Sequence, residues 1–431
     1  MLKVSIIVAA SSLAAALPVR AQTTVHVDDG EQLTGVELSA GAFNGQPFTL
    51  SPDTTFEINS GGAMSVPGDI FADASFFLGD ATVNINDGGV FSGGFVGRAT
   101  INVGSGGSFA SAQVTGSTIN VNGGTVGSVF STVEFNARGD VDINVNAGRV
   151  NFVDTWDGGE RITISGGSIG TIRQQFDSIF FGSSQEVFVN GGTIELLENS
   201  SSVVTQTAGR VDRARFSPLN DTTSGIFYTM QGGSAGSLSV NSLFMSGGNI
   251  DDGAGVVGGF ADVSGGTIGG RLSIFGSTFD GQPDGTFDAA SGRITGGTIE
   301  GGVSFRGPRP FDFLDGLIPT LEISGGQITG GFSVEGRTET TLVVRTALLD
   351  GQTLDLAVGE TVEVIRGDAN LLDVILEDGN AFRLTASELE QFGPSIGFSG
   401  DSRLFIRGGI PTPGAFAALA LAGLAGARRR R

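Results

Sequence analysis

Apolar residues recur along this chain in short pairs split by glycine. The stretches VNGGTVG (121–127), ISGGSIG (164–170), VNGGTIE (189–195), VSGGTIGG (263–270) and ISGGQITGG (323–331) share one plan. An aliphatic residue stands two places before a Gly-Gly, and another stands three places after its first glycine. Thirteen such sites align, with Ala147, Ala208 and Ser291 replacing the first glycine at three of them. The residue three places on is apolar at all thirteen, from Met64, Phe91 and Phe109 through Val150 and Ile194 to Ile294 and Ile328. At Gly61, Gly88 and Gly106 the preceding apolar residue lies three places back instead, at Ile58, Ile85 and Val103. That drift predicts a bulge or a looser turn in the early repeats.

Side chains of a strand alternate between faces, so two positions five apart cannot share one face of a straight strand. The Gly-Gly therefore predicts a bend between two short strands that both turn their apolar residues inward. Glycine takes positive φ at such a bend without a Cβ clash. Repetition of the unit predicts an all-β fold, a parallel β-solenoid (β-helix) with β caps. Each coil lays strands on the one before and buries an apolar column that no single coil can bury alone. Thirteen coils at about 4.8 Å each give a rod about 60 Å long. The wider gaps, 266–290 and 292–324, are expected to loop out, with RGPRPFDFLDGLIP (306–319) protruding. Asn84, Asn86, Asn102, Asn120, Asn122, Asn144, Asn146 and Asn190 recur beside the bends, as candidates either for a hydrogen-bonded ladder or for ordinary solvated strand and turn positions. From about residue 338 the pattern becomes simple alternation, and Asp378-Gly379 reads as a hairpin or a tight turn.

Composition narrows the classes. The chain has 431 residues with 72 glycines, no cysteine and 12 prolines. Strict G-X-Y spacing is absent, which excludes collagen. Disulfides, thiolate metal sites and a cysteine nucleophile are excluded with the cysteines. The formal net charge is −21. Between residues 22 and 410 the balance is 18 basic against 45 acidic residues, or −27. Such a surface repels nucleic acid.

The two ends read as addresses. At the N-terminus Lys3 precedes an apolar stretch over 4–17, and Val19-Arg20-Ala21 offers a cleavage site. This is the plan of a secretory signal peptide, with Ala21 the last residue removed by signal peptidase. At the C-terminus Pro411, Thr412 and Pro413 precede an apolar run over 414–427, and Arg428, Arg429, Arg430 and Arg431 close the chain. This tail resembles the PEP-CTERM sorting signal, in which a Pro-Glu-Pro motif, an apolar helix and an arginine-rich end are read by an exosortase. Thr412 stands where that family has Glu. The resemblance covers about 22 residues. It implies a transmembrane helix over the apolar run, a transient inner-membrane tether and processing by an exosortase-like membrane protease. It also implies final residence at the cell surface or in the extracellular matrix, with exopolysaccharide or cell-surface glycans as partners. The domain organisation that follows is 1–21 signal peptide, 22–337 solenoid with N-terminal cap, 338–409 final coils and C-terminal cap, and 410–431 sorting segment.

Candidate chemistry is sparse. His26 is the lone histidine, so no HExxH helix and no histidine pair exists. Three carboxylate groupings are the candidate acid–base or Ca²⁺ positions: Asp140 with Asp142, Asp212 with Arg213 and Arg215, and Asp251 with Asp252. Each is also ordinary for an acidic solvated face. Sugar subsites favour aromatic platforms, and Trp156 and Tyr228 are the single Trp and Tyr beside the phenylalanines. The sequence is read as an exported, non-catalytic structural or adhesive protein without a cofactor, apart from weak surface Ca²⁺ binding. The alternatives are a polysaccharide lyase or hydrolase on the same fold and an autotransporter-like passenger.

Overall fold

The computed structural model describes residues 23–34, 42–44, 46–47, 54–66, 81–93, 95–131, 141–155, 159–174, 185–199, 202–216, 226–276, 290–307, 318–364, 370–392 and 402–409. The chain divides into two compact units, Met1–Ile226 and Phe227–Arg431. Both are built from parallel strands in the manner of a β-solenoid.

In the first unit nine strands preceding a glycine corner stack in parallel register, from Thr23–Val27 and Thr54–Ile58 to Gln185–Val189 and Ser202–Gln206. Nine segments after the corner form a second parallel ladder, from Gln32–Thr34 to Arg210–Phe216. Their inward residues make continuous columns. One runs Val27, Ile58, Ile85, Val103, Val121 and Val145; another runs Leu33, Met64, Phe91, Phe109, Val126 and Val150. All of these side chains are fully buried, and the Phe91 and Phe109 rings lie 5.2 Å apart, centre to centre. Burying each such side chain is worth about 1.5–3 kcal/mol, so the columns carry the fold.

The looser early turn has a definite form. Each of the first four corners is a β-turn closed by one backbone hydrogen bond, as from Gly62 N–H to the Asn59 carbonyl (2.9 Å). Its third residue takes positive φ, +76° at Gly30 and +75° at Gly61. These glycines also bond from coil to coil, Gly30 N–H to the Gly61 carbonyl and Gly61 N–H to that of Gly88, both 3.2 Å. Buried residues flanking these corners are six apart (Ile58 and Met64). From Val121 and Val126 onward they are five apart, because the turn has lost one residue.

A second bend, absent from the sequence reading, follows the first. Phe109 and Ala112, Val126 and Val129, Val150 and Val153, and Ile169 and Ile172 are all buried, yet three apart. An odd spacing again needs a bend. Within the second unit the spacing changes from three, at Ala235 and Leu238, to four, at Ile250 and Ala254, and a register irregularity between Ala235 and Ser237 marks the added residue.

The second unit stacks Ile226–Met230, Ser242–Met245, Phe260–Val263, Ser291–Ile299, Thr320–Ile328, Glu339–Leu349 and Arg403–Gly408 in parallel. Here two expectations are corrected. Ser291 is no corner: it opens a strand, and Ile294 lies before the bend, in register with Val263 and Ile323. The corner is Gly296-Gly297, with Gly297 at φ +81° and Ile299 buried beyond it. The gaps 266–290 and 292–324 are not simple loops either, since Arg271–Phe275 and Val303–Arg306 are strands of the stack. Ile328 is only half-buried, because its ladder ends at that coil.

Past residue 344 the pairing turns antiparallel. Glu339–Leu349 pairs with Leu371–Leu376, which returns through Asp378-Gly379 into Ala381–Thr385. A four-residue helix, Ala386–Leu389, follows with a capping box between Thr385 and Glu388. This hairpin and helix close the edge strand Phe332–Glu335. Glu388 Oε1 accepts from the Phe332 N–H (2.9 Å), Gln391 Oε1 from the Val334 N–H (2.6 Å) and Asp378 Oδ2 from the Gly326 N–H (2.5 Å). Phe332 packs against Phe382 and Phe392, with ring centres 6.0 and 6.2 Å away. Side-chain acceptors thus replace the strand that a further coil would supply.

The last parallel strand is covered by the antiparallel strand Thr361–Val364. Arg403 clamps Glu363 there through two hydrogen bonds, 2.8 and 2.9 Å. Those bonds hold the Glu363 carboxyl below its ordinary value of 4.5. A depressed carboxyl pKa gives stability that is complete above the unfolded value and is lost as pH falls through the folded one. Arg403→Gln should therefore raise the Glu363 midpoint toward 4.5 in an NMR titration. An unmoved midpoint would refute the clamp.

The transmembrane helix expected of 414–427 is withdrawn. Among the described residues no helix is long and apolar enough to cross a membrane. The run itself lies outside those residues, and its 14 positions span about 21 Å as a helix against about 30 Å of hydrocarbon.

Candidate functional site

Outward side chains in a parallel stack meet their register partners in the coils on either side. On the pre-corner face of the first unit this places asparagine over asparagine. Asn144 Nδ2 donates to Asn120 Oδ1 (3.0 Å), Asn120 to Asn102 (2.8 Å), and Asn102 to Asn84 (2.8 Å). Asn84 donates to Glu57 Oε1 (2.6 Å), and Asn86 reaches Glu57 Oε2 (2.9 Å). The ladder is thus polarised toward one carboxylate, each bond reinforcing the next. Beside it runs a column of threonines: Thr55, Thr82, Thr100 and Thr118.

Arginine is placed by the same register. Asp142, Arg161 and Glu186 are partners in three successive coils, as are Asp154, Arg173 and Glu198. In the second unit Asp262, Arg293 and Glu322 repeat the order. Arg173 Nη2 bonds Asp154 Oδ2 at 2.8 Å, and that hydrogen bond raises the arginine's pKa. Arg293 is held the same way by Asp262, at 2.5 Å. These three arginines thus each sit between carboxylates of the coils on either side.

The described positions singled out in the sequence are taken up by separate neighbours. Asp212 pairs with Arg210 (2.5 Å), while Arg215 is the register partner of Glu198. Asp251 accepts from Asn249 (2.5 Å) and, like Asp252, is exposed. Asp142 is half-exposed. His26 is half-buried opposite Glu57 in the first coil. Tyr228 points inward and is fully buried, so burial pushes its phenol pKa up and its ring is closed to a surface ligand. No group of three or more potential metal ligands occurs among the described residues. Asp140, Trp156, Ala21, Pro411, Thr412, Pro413 and Arg428, Arg429, Arg430 and Arg431 lie outside the described residues.

Two features escaped the sequence reading. The first is a buried polar corner where one coil passes to the next. Glu160 accepts from Ser131 Oγ (2.6 Å), Gln185 donates to Thr155 Oγ1 (3.2 Å), and Ser202 donates to Gln185 Oε1 (3.2 Å). Thr155 and Glu160 are five residues apart across this passage and Gln174 and Gln185 eleven, so the length of chain between coils varies here. The second feature is a shallow depression of about 330 Å³ at the open end of the asparagine ladder, lined by Asp142, Asn144, Arg161, Thr163, Phe188 and Asn190. Its signal in sequence was weak. A short Thr163 falls between Asn144 and Phe188 only once the register is known.

Comparison of the chain with family models, with curated proteins and with solved structures finds no match in any of the three.

Proposed function

We propose that this chain is an exported, non-catalytic structural or adhesive protein of the cell surface or extracellular matrix. The observation that carries the reading is the state of the outward side chains. Ladders of amides and alternating charges use many of them to hold adjacent coils, and Asp212 and Asp251 of the acidic groupings are taken up by Arg210 and Asn249 beside them. A surface of this kind suits spacing and display better than acid–base work, which needs two carboxylates facing one bond. The N-terminal signal with Ala21 at its end supports export. The tail supports sorting through Pro411, Thr412 and Pro413 with the terminal arginines, by an exosortase-like protease.

The test is fractionation of the tagged full chain in a host carrying an exosortase. Wild-type chain should accumulate at the surface or in the matrix. Replacing Arg428, Arg429, Arg430 and Arg431 by glutamine should leave it unprocessed in the cell-associated fraction. Equal distribution of the two would overturn the sorting reading, and release of reducing ends from polysaccharide by the wild-type chain would overturn the non-catalytic one.

A further inference from the structure

We propose that the depression lined by Asp142, Asn144, Arg161, Thr163, Phe188 and Asn190 seats one residue of an uncharged polysaccharide, and that the asparagine ladder guides the polymer onward. This deepens the matrix reading by naming a partner, and it rests on that reading only for its biological setting.

The floor and walls come from three successive coils. Asn144, Thr163 and Phe188 are register partners, so the short threonine lies between two longer side chains. The volume, about 330 Å³, is at the lower end of the ~300–1,000 Å³ typical of ligand sites. Arg161 braces the wall. Its guanidinium carbon sits 5.0 Å from the centre of the Phe188 ring, and its Nε lies 3.6 Å from Glu186.

The polar groups offer both senses of hydrogen bond. Asn144 spends an N–H on Asn120, which leaves its carbonyl oxygen as the open end of the ladder. Asn190 Oδ1 accepts from the Thr207 hydroxyl (2.9 Å), which leaves its amide N–H groups. Thr163 gives and accepts, and Asp142 accepts. A sugar hydroxyl also gives and accepts, so it matches a mixed set better than a purely anionic or cationic ligand does. A hydroxyl donated to Asn144 would lengthen a cooperative chain that already ends on Glu57.

Charge selects among sugars. Asp142 and Glu186 outweigh Arg161, within a chain of net charge −21. Uronates, sulfated glycans and nucleic acid are therefore disfavoured. Beyond Asn144 the groups Asn120, Asn102 and Asn84, flanked by Thr118, Thr100 and Thr82, are uncharged and recur at about 4.8 Å. A repeating neutral strip suits a polymer more than a single sugar.

Calorimetry on the full chain tests this with β-1,4-glucan and β-1,4-mannan hexasaccharides, and with a galacturonate hexasaccharide as the charged control. At least one neutral probe should bind and be recovered uncleaved, and the galacturonate should not bind. Phe188→Ala and Asn144→Ala, both checked for folding by circular dichroism, should each weaken binding about tenfold or more. No binding of either neutral probe to folded wild-type chain overturns the site. So does binding that both variants leave unchanged, or galacturonate binding as tight as the neutral probes. A chain that is retained at the surface yet binds no hexasaccharide keeps the scaffold role and loses this site. A chain that binds but is not retained does the reverse.

Discussion

Gly148→Ala should destabilise the first unit by about 3 kcal/mol or more, whereas Gly30→Ala should cost only about 1–2 kcal/mol. The two glycines have nearly the same backbone, φ +82° and +76°. They differ in what surrounds them. A Cβ on Gly148 would run into the carbonyl oxygen of Gly124 and come within 2.8 Å of the Gly123 carbonyl carbon, both in the preceding coil. A Cβ on Gly30 meets nothing within 4 Å. The common part of the cost is the left-handed turn, and the difference is the closeness of stacked coils. Urea unfolding of both variants beside wild type reads that difference. Equal losses would mean that glycine serves the turn alone and that the coils do not touch there.

Removing the acceptors that close the second unit should have an equally visible result. In Glu388→Ala with Gln391→Ala, the Phe332 and Val334 N–H groups lose their partners on a buried edge. Each unsatisfied group costs about 1–3 kcal/mol. The exposed edge strand Phe332–Glu335 then becomes a template for another chain. Size-exclusion chromatography with light scattering should show the double variant associating at concentrations where wild type does not. A variant with unchanged size and unchanged stability would show that these side chains do not close the edge.

Much of this architecture is legible in the sequence, for a geometric reason. Apolar residues an odd number apart cannot share a straight strand, so the spacing of Val145 and Val150 reveals a bend without knowledge of its neighbours. The same rule applies to Val150 and Val153, but that bend is marked by a single glycine in the coils beside it, Gly127 and Gly170, and by none at 151–152, so it lacks the repeated pair that makes the first one plain. Ser291 imitates a corner through its Ser-Gly, while the true one, Gly296-Gly297, lies five residues on.

The outward columns are harder to read. Asp142 and Arg161 are 19 residues apart and Arg161 and Glu186 are 25 apart, since the passage between coils varies in length. Register is set by the inward columns, and only then do the charges line up. The asparagine ladder was visible because its members repeat one residue type. The depression at Thr163 was not, because it is made by a contrast in side-chain length across three coils.

The absence of cysteine from the chain gives the most direct test of coil stacking. Thr100 and Thr118 are register partners in adjacent coils, whereas Thr100 and Asn120 are diagonal neighbours on the same face. Partners about 4.8 Å apart suit a disulfide, and diagonal positions about 8 Å apart do not. Under mild oxidation Thr100→Cys with Thr118→Cys should crosslink within one chain, and Thr100→Cys with Asn120→Cys should stay reduced. If the second pair closes while the first does not, or if neither closes, parallel in-register coils are the wrong description of this protein.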